Sequence, residues 1–178
     1  VVAAVVGACL IAAAAGGVVL AWRRWSRDTR PEPPTEAASP TAGAGAGLPL
    51  PRPALPATGV DPSGAALSVA ARTDGDLLLA FLTSTCVGCR PFWEGLASGG
   101  RPRGLPVVVV TPDPTLESAA GVASLADGLD LTVVMSSGAW LDYRVRAAPW
   151  FVVVAAGLVV AEGQAASWEE LGRLAGVT

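Results

Sequence analysis

The chain opens on an unbroken apolar run: residues 1–22 carry no ionisable side chain other than the thiol of Cys9. At about 1.5 Å per helical residue such a run crosses a bilayer core of roughly 30 Å, so the pattern predicts a transmembrane helix over residues 1–22. A cleaved secretory signal has a shorter apolar core, about 7 to 15 residues, with a small-residue cleavage motif after it. Beyond Trp22 the pattern dissolves. Residues 23–47 mix arginine, proline, alanine and glycine, including Ala42-Gly43-Ala44-Gly45-Ala46-Gly47, and bury too little side-chain area to offset chain entropy. They predict a tether, and the Pro-rich stretch from Leu48 onward predicts an irregular entry to a folded domain at 48–178.

In that domain short apolar runs alternate with amphipathic stretches, the pattern of strands separated by crossover helices. Strands are expected over residues 76–82, 106–110 and 131–135, and helices over 90–98, 114–126 and 139–144, with Pro114 in a first helical turn. Residues 150–154 and 158–161 read as two strands joined by Ala155-Ala156-Gly157, spacing that suits a β-hairpin. A last helix over 167–175 starts with Ser167 and has Glu170 three residues on, a capping box. The predicted order is β-α-β-α-β-α-β-β-α. Val and Leu runs this continuous imply strands covered on both faces, hence an α/β fold with a central sheet between helices.

Charge and composition narrow the function. The net charge is −3, and four of the 12 basic residues, Arg23, Arg24, Arg27 and Arg30, directly follow the apolar run. The rest forms no basic stripe of the kind that binds nucleic acid. Arginines beside a membrane span normally stay in the cytoplasm, which argues for a domain on that side. There is no histidine, which removes imidazole acid–base catalysis, Ser-His-Asp triads and imidazole metal ligands together.

What remains is sulfur. Cys86 and Cys89 stand between an expected buried strand and an expected helix, so Cys86 belongs at a helix N-terminus, where unpaired N–H groups and the dipole favour the reactive thiolate. A two-residue spacing lets Cys89 resolve a mixed disulfide formed at Cys86. Zinc would need two further ligands, and the chain has only Cys9 besides this pair. A structural disulfide is the plainer alternative.

The segment Phe81-Leu82-Thr83-Ser84-Thr85-Cys86-Val87-Gly88-Cys89-Arg90-Pro91-Phe92 resembles the thioredoxin superfamily. So does the later stretch Ala147-Ala148-Pro149-Trp150-Phe151-Val152-Val153 with its following strand. The β-α unit between the strand at Val107 and the helix before Pro149 is similar to the insertion of membrane-tethered TlpA, ResA and MauD-like proteins. The resemblance implies a thioredoxin-like fold and a thiol–disulfide oxidoreductase that uses Cys86 and Cys89 on protein thiols or disulfides, with no metal, flavin or nucleotide cofactor. It implies that Pro149 is the family's cis-proline, and that Ala148 and Pro149 hold the backbone of the partner. It also implies a single-pass membrane protein with an extracytoplasmic domain, opposite to the sense of the arginines.

The sequence departs from the family in three places. Thr85 replaces the usual Trp before the first cysteine, Ala80 replaces the buried acid six residues upstream, and the Glu that tunes some ResA-like proteins has no match near the dithiol. Arg90 reads as a solvated side chain able to lower a thiol pKa, and Trp93 and Trp150 as core residues or walls of a substrate groove. A redox-inert binding or assembly module and a thiol peroxidase are the competing functions.

Overall fold

The computed structural model describes residues 49–69 and 75–176. The expected transmembrane helix at 1–22 and the tether at 23–47 lie outside the described residues. Among the described residues no helix is long and apolar enough to cross a membrane.

Three short strands open the domain: β1 (Arg52–Pro53), β2 (Ala57–Val60) and β3 (Ala66–Val69). The sequence reading saw only an irregular entry here, because two-to-four-residue strands among prolines carry little periodicity. The turn chemistry was the missed signal. Asp61 Oδ1 accepts hydrogen bonds from the N–H groups of Ser63 (2.8 Å) and Ala65 (3.0 Å), and Gly64 takes φ +91°, so Asp61-Pro62-Ser63-Gly64 closes a hairpin.

The remaining elements follow the expected order. They are β4 (Leu77–Phe81), a 3-10 turn (Val87–Cys89) running into α1 (Arg90–Ala97), β5 (Val107–Thr111), α2 (Ala119–Ala126), β6 (Thr132–Met135), α3 (Ser137–Asp142), β7 (Trp150–Ala155), β8 (Leu158–Gly163) and α4 (Trp168–Leu174). Two helices shift. The predicted helix at 114–126 begins only at Ala119, because Asp113 organises a turn by accepting the Thr115 N–H (2.9 Å), after which Ser118 caps the helix by accepting the Gly121 N–H (3.1 Å). The predicted helix at 139–144 begins two residues earlier, behind the cap Ser136, and stops before Arg144, whose φ of 54° is left-handed. In α4 the Ser167 hydroxyl accepts the Glu170 N–H (3.2 Å), but Glu170 reaches back to Ala166 N–H (2.7 Å), one residue beyond the usual partner in a capping box.

The eight strands form one mixed sheet in the order β1-β8-β7-β4-β5-β6-β2-β3. β4, β5 and β6 run parallel, β7 returns antiparallel to β4, and β8 is antiparallel to β7. β2 meets β6 through Val60 and Met135 alone. Gly59 makes that approach possible, since a Cβ there would overlap the Met135 carbonyl.

Side-chain alternation in β4 separates two cores. Leu78, Ala80 and Leu82 pack with Phe92, Trp93 and Leu96 of α1, Val122 of α2 and Leu171 of α4. Leu77, Leu79 and Phe81 pack on the other face with Ala139 of α3 and Tyr143. The sheet is therefore buried on both faces, which is why β4 and β5 are apolar at nearly every position.

Candidate dithiol site

The end of β4 delivers the chain to a loop that lies over the first core, and the dithiol sits there. Cys86 is the extended residue that precedes the 3-10 turn, and its N–H is accepted by the Thr83 hydroxyl (3.2 Å). The turn closes when Cys89 N–H donates to the Cys86 carbonyl (3.0 Å), and α1 follows at once. Cys86 thus lies at the N-terminal end of the helical segment, as its spacing predicts.

The two sulfurs have opposite surroundings. Both are free thiols, Cys86 half-exposed and Cys89 fully buried among the side chains of the first core. Burial pushes the Cys89 thiol up from 9.0 to about 12, and its hydrogen bond toward Cys86 and the charge that Cys86 carries when ionised act in the same direction. Thr83 opposes this shift by hydrogen bonding to Cys89.

The loop before β7 completes the site. The Cys86 thiol donates to the Ala148 carbonyl across 3.7 Å, and the Ala148–Pro149 bond is cis. A Cβ placed on Gly88 would lie 3.5 Å from Pro149 Cδ and 3.8 Å from Cys86 Sγ, so the turn faces the proline directly. The structure therefore brings Cys86, Cys89, Ala148 and Pro149 together from two loops more than fifty residues apart in sequence. Val87, at the tip, is 84% exposed.

The tryptophans divide. Trp93 is core, and its indole N–H donates to the Thr83 carbonyl (3.3 Å), so it supports the dithiol loop from below. Trp150 packs against the core on the other face of the sheet. Arg90 is exposed and, with Ser84, Trp93, Glu94 and Leu125, lines a cleft of about 440 Å³ between α1 and α2. Among the described residues no group of three His, Cys, Asp or Glu side chains is placed to hold a metal ion.

Sequence reasoning found no acid near the dithiol, and Ala80 is indeed buried and inert. An acid reaches the loop from another element. Glu117, 8% exposed, accepts hydrogen bonds from Ser84 N–H (3.1 Å), Ser84 hydroxyl (2.6 Å) and Ser118 N–H (2.9 Å). The expected helix over 114–126 gave Glu117 no role. Recognising Ser118 as the cap would have freed it.

The chain matches no protein-family profile and no curated protein. Solved structures do share its fold. A thiol:disulfide interchange protein of the thioredoxin family from Chlorobium tepidum TLS superposes with a TM-score of 0.54 at 22% identity, over 72% of this chain and 97% of that one. A putative thiol:disulfide interchange protein DsbE from Chlorobium tepidum gives 0.56 at 17% identity, over 74% and 99%. A hypothetical protein from Sinorhizobium meliloti 1021 gives 0.56 at 22% identity, over 66% and 71%. At these identities the likeness is one of fold, and the fold is thioredoxin-like.

Proposed function

We propose that this chain is a thiol–disulfide oxidoreductase that exchanges electrons between its Cys86/Cys89 dithiol and a disulfide or dithiol of a partner protein. The observation that carries the reading is the asymmetry of the pair: an accessible sulfur at a helix start beside a buried one that keeps its proton. The thiol:disulfide interchange proteins that share the fold agree with it.

The Cys86 thiolate attacks one sulfur of the partner disulfide, forming a mixed disulfide and releasing the other partner sulfur as a thiolate. Cys89 then gives up its proton and attacks Cys86, closing the Cys86–Cys89 disulfide and freeing the second partner thiol. Two electrons pass from the dithiol to the partner. Run backwards, the same steps oxidise a partner dithiol. Ala148 and Pro149 supply the backbone surface along which the partner strand lies while the mixed disulfide exists.

Residues 1–22 anchor the domain to a membrane and residues 23–47 tether it. The domain stands on the extracytoplasmic side, a reading that rests on the resemblance and against the flanking arginines. A membrane-impermeant maleimide that labels Cys86 in intact cells supports this placement, and labelling only after lysis reverses it.

Equilibration of the chain in glutathione or dithiothreitol buffers, read by thiol trapping, tests the reaction itself. A reversible two-electron couple is expected, together with a mixed disulfide that accumulates in cells carrying Cys89→Ser. The absence of any couple overturns the proposal in favour of a redox-inert binding module.

A further inference from the structure

We propose that Glu117 is a positioning residue for the dithiol, a carboxylate in the segment between β5 and α2 that holds the Cys86 loop in its reactive geometry. The inference deepens the oxidoreductase reading and rests on it.

Glu117 stands outside the catalytic loop, in the segment between β5 and α2, and its side chain is buried against that loop. Oε2 accepts from Ser84 N–H, while Oε1 accepts from both the Ser84 hydroxyl and Ser118 N–H. Each carboxylate oxygen therefore faces a backbone N–H. Only a group that accepts on both oxygens satisfies this arrangement, because an amide NH₂ or a carboxylic O–H in either position would point a donor at a donor. Both hydrogen bonds are part-buried, so an N–H left without its acceptor there loses the bond with only partial compensation from water.

The link to the sulfurs is short. Ser84 lies between Thr83 and Thr85, and Thr83 is the residue that accepts the Cys86 N–H and hydrogen bonds to Cys89. Trp93 fixes the Thr83 carbonyl from the core side, and Glu117 fixes Ser84 from the α2 side. Gly121 of α2 lies close enough that a Cβ on it would come within 3.3 Å of the Ser84 hydroxyl, so the helix itself abuts the loop. The unit added between β5 and α3 thereby does more than widen the sheet: it clamps the residues that orient the dithiol.

The clamp acts on the reduced state, in which nothing covalent orders the turn. In the oxidised state the Cys86–Cys89 bond fixes the turn, so loss of the clamp raises the free energy of the dithiol more than that of the disulfide. Glu117→Gln in the full chain is accordingly expected to shift the equilibrium with glutathione three- to tenfold toward the disulfide, up to about 30 mV for a two-electron couple. It should also slow exchange at Cys86. Glu117→Gln should behave like Glu117→Ala despite its shape. Ser84→Ala, which keeps the backbone N–H and cannot unfold the loop by leaving a charge stranded, should give a smaller shift of the same sign.

A wild-type potential with no change in either Glu117→Gln or Ser84→Ala, accompanied by a lower melting temperature, overturns the proposal and leaves Glu117 a structural cross-link. Should Glu117→Gln fail to fold, the Ser84→Ala potential decides by itself. Absence of a couple in the wild-type chain is a different failure, that of the oxidoreductase reading.

Discussion

The two faces of the sheet are held by different chemistry. On the dithiol face the polar groups that fix the loop are hydroxyls, backbone amides and one carboxylate, and the buried sulfur stays neutral because burial makes its charge costly. On the opposite face Arg52 of β1 pairs with Glu162 of β8 at 2.7 Å, with side chains 15% and 5% exposed, and its guanidinium lies 5.9 Å from the centre of the Tyr143 ring. The Tyr143 hydroxyl then donates to the Leu55 carbonyl (2.6 Å) and accepts the Leu55 N–H (3.0 Å), docking the entry strands on the sheet. One face is poised for a reaction and the other is pinned. A fixed ion pair gives stability without reactivity, whereas the dithiol sets an accessible sulfur beside a buried thiol that keeps its proton.

The largest effect expected from breaking this contrast is at the pinned face. Arg52→Ala strands Glu162 and should cost about 3 kcal/mol in chemical denaturation, while the reduction potential stays at the wild-type value. A potential that moves with it would show that the faces are coupled.

Next comes alkali. Below pH 9 the Cys89 thiol is protonated in folded and unfolded chains alike. Between 9.0 and about 12 only the unfolded chain ionises, so the reduced protein should lose stability progressively across that window. Cys89→Ala should remove this component, and so should oxidation to the disulfide. Tyr143 is also shifted upward by burial, so Tyr143→Phe should remove a second alkaline component belonging to the pinned face. The sequence contains no lysine, which leaves thiols and this one phenol as the side chains that titrate there. A stability profile in Cys89→Ala identical to that of the reduced wild type would contradict the assignment.

The smallest effect serves as a control on both faces. Ala156 and Gly157 join β7 to β8 with φ of 49° and 78°, the two-residue turn that favours Asn-Gly. Ala156→Asn should raise stability by about 1 kcal/mol or less, with potential and exchange rate unchanged.

Much of this arrangement was legible beforehand because it is written in local pattern. The Val and Leu runs announced β4 to β8, and the sulfurs announced themselves by spacing at a strand-to-helix junction. What escaped was built from other signals. The β2–β3 hairpin rests on one Asx turn and on Gly59, whose meaning depends on Met135, seventy-odd residues away. Glu117 escaped because its role depends on where α2 starts, and a shift of five residues in that boundary turns a solvated side chain into a buried one. The Arg52–Glu162 pair spans 110 positions and follows from the β1–β8 register, which no periodicity encodes.

The burial of Cys89 also bears on chemical durability. An encounter with peroxide finds Cys86 first and turns it into a sulfenic acid, the rung of the oxidation ladder from which a thiol still recovers through disulfide formation. The protonated Cys89 thiol beside it stands ready to condense with Cys86, expelling water before a second oxidant arrives. The reserve sulfur, sealed from solvent, escapes that damage, and the site should therefore outlast oxidative bursts that would irreversibly convert a solitary exposed cysteine to sulfinate.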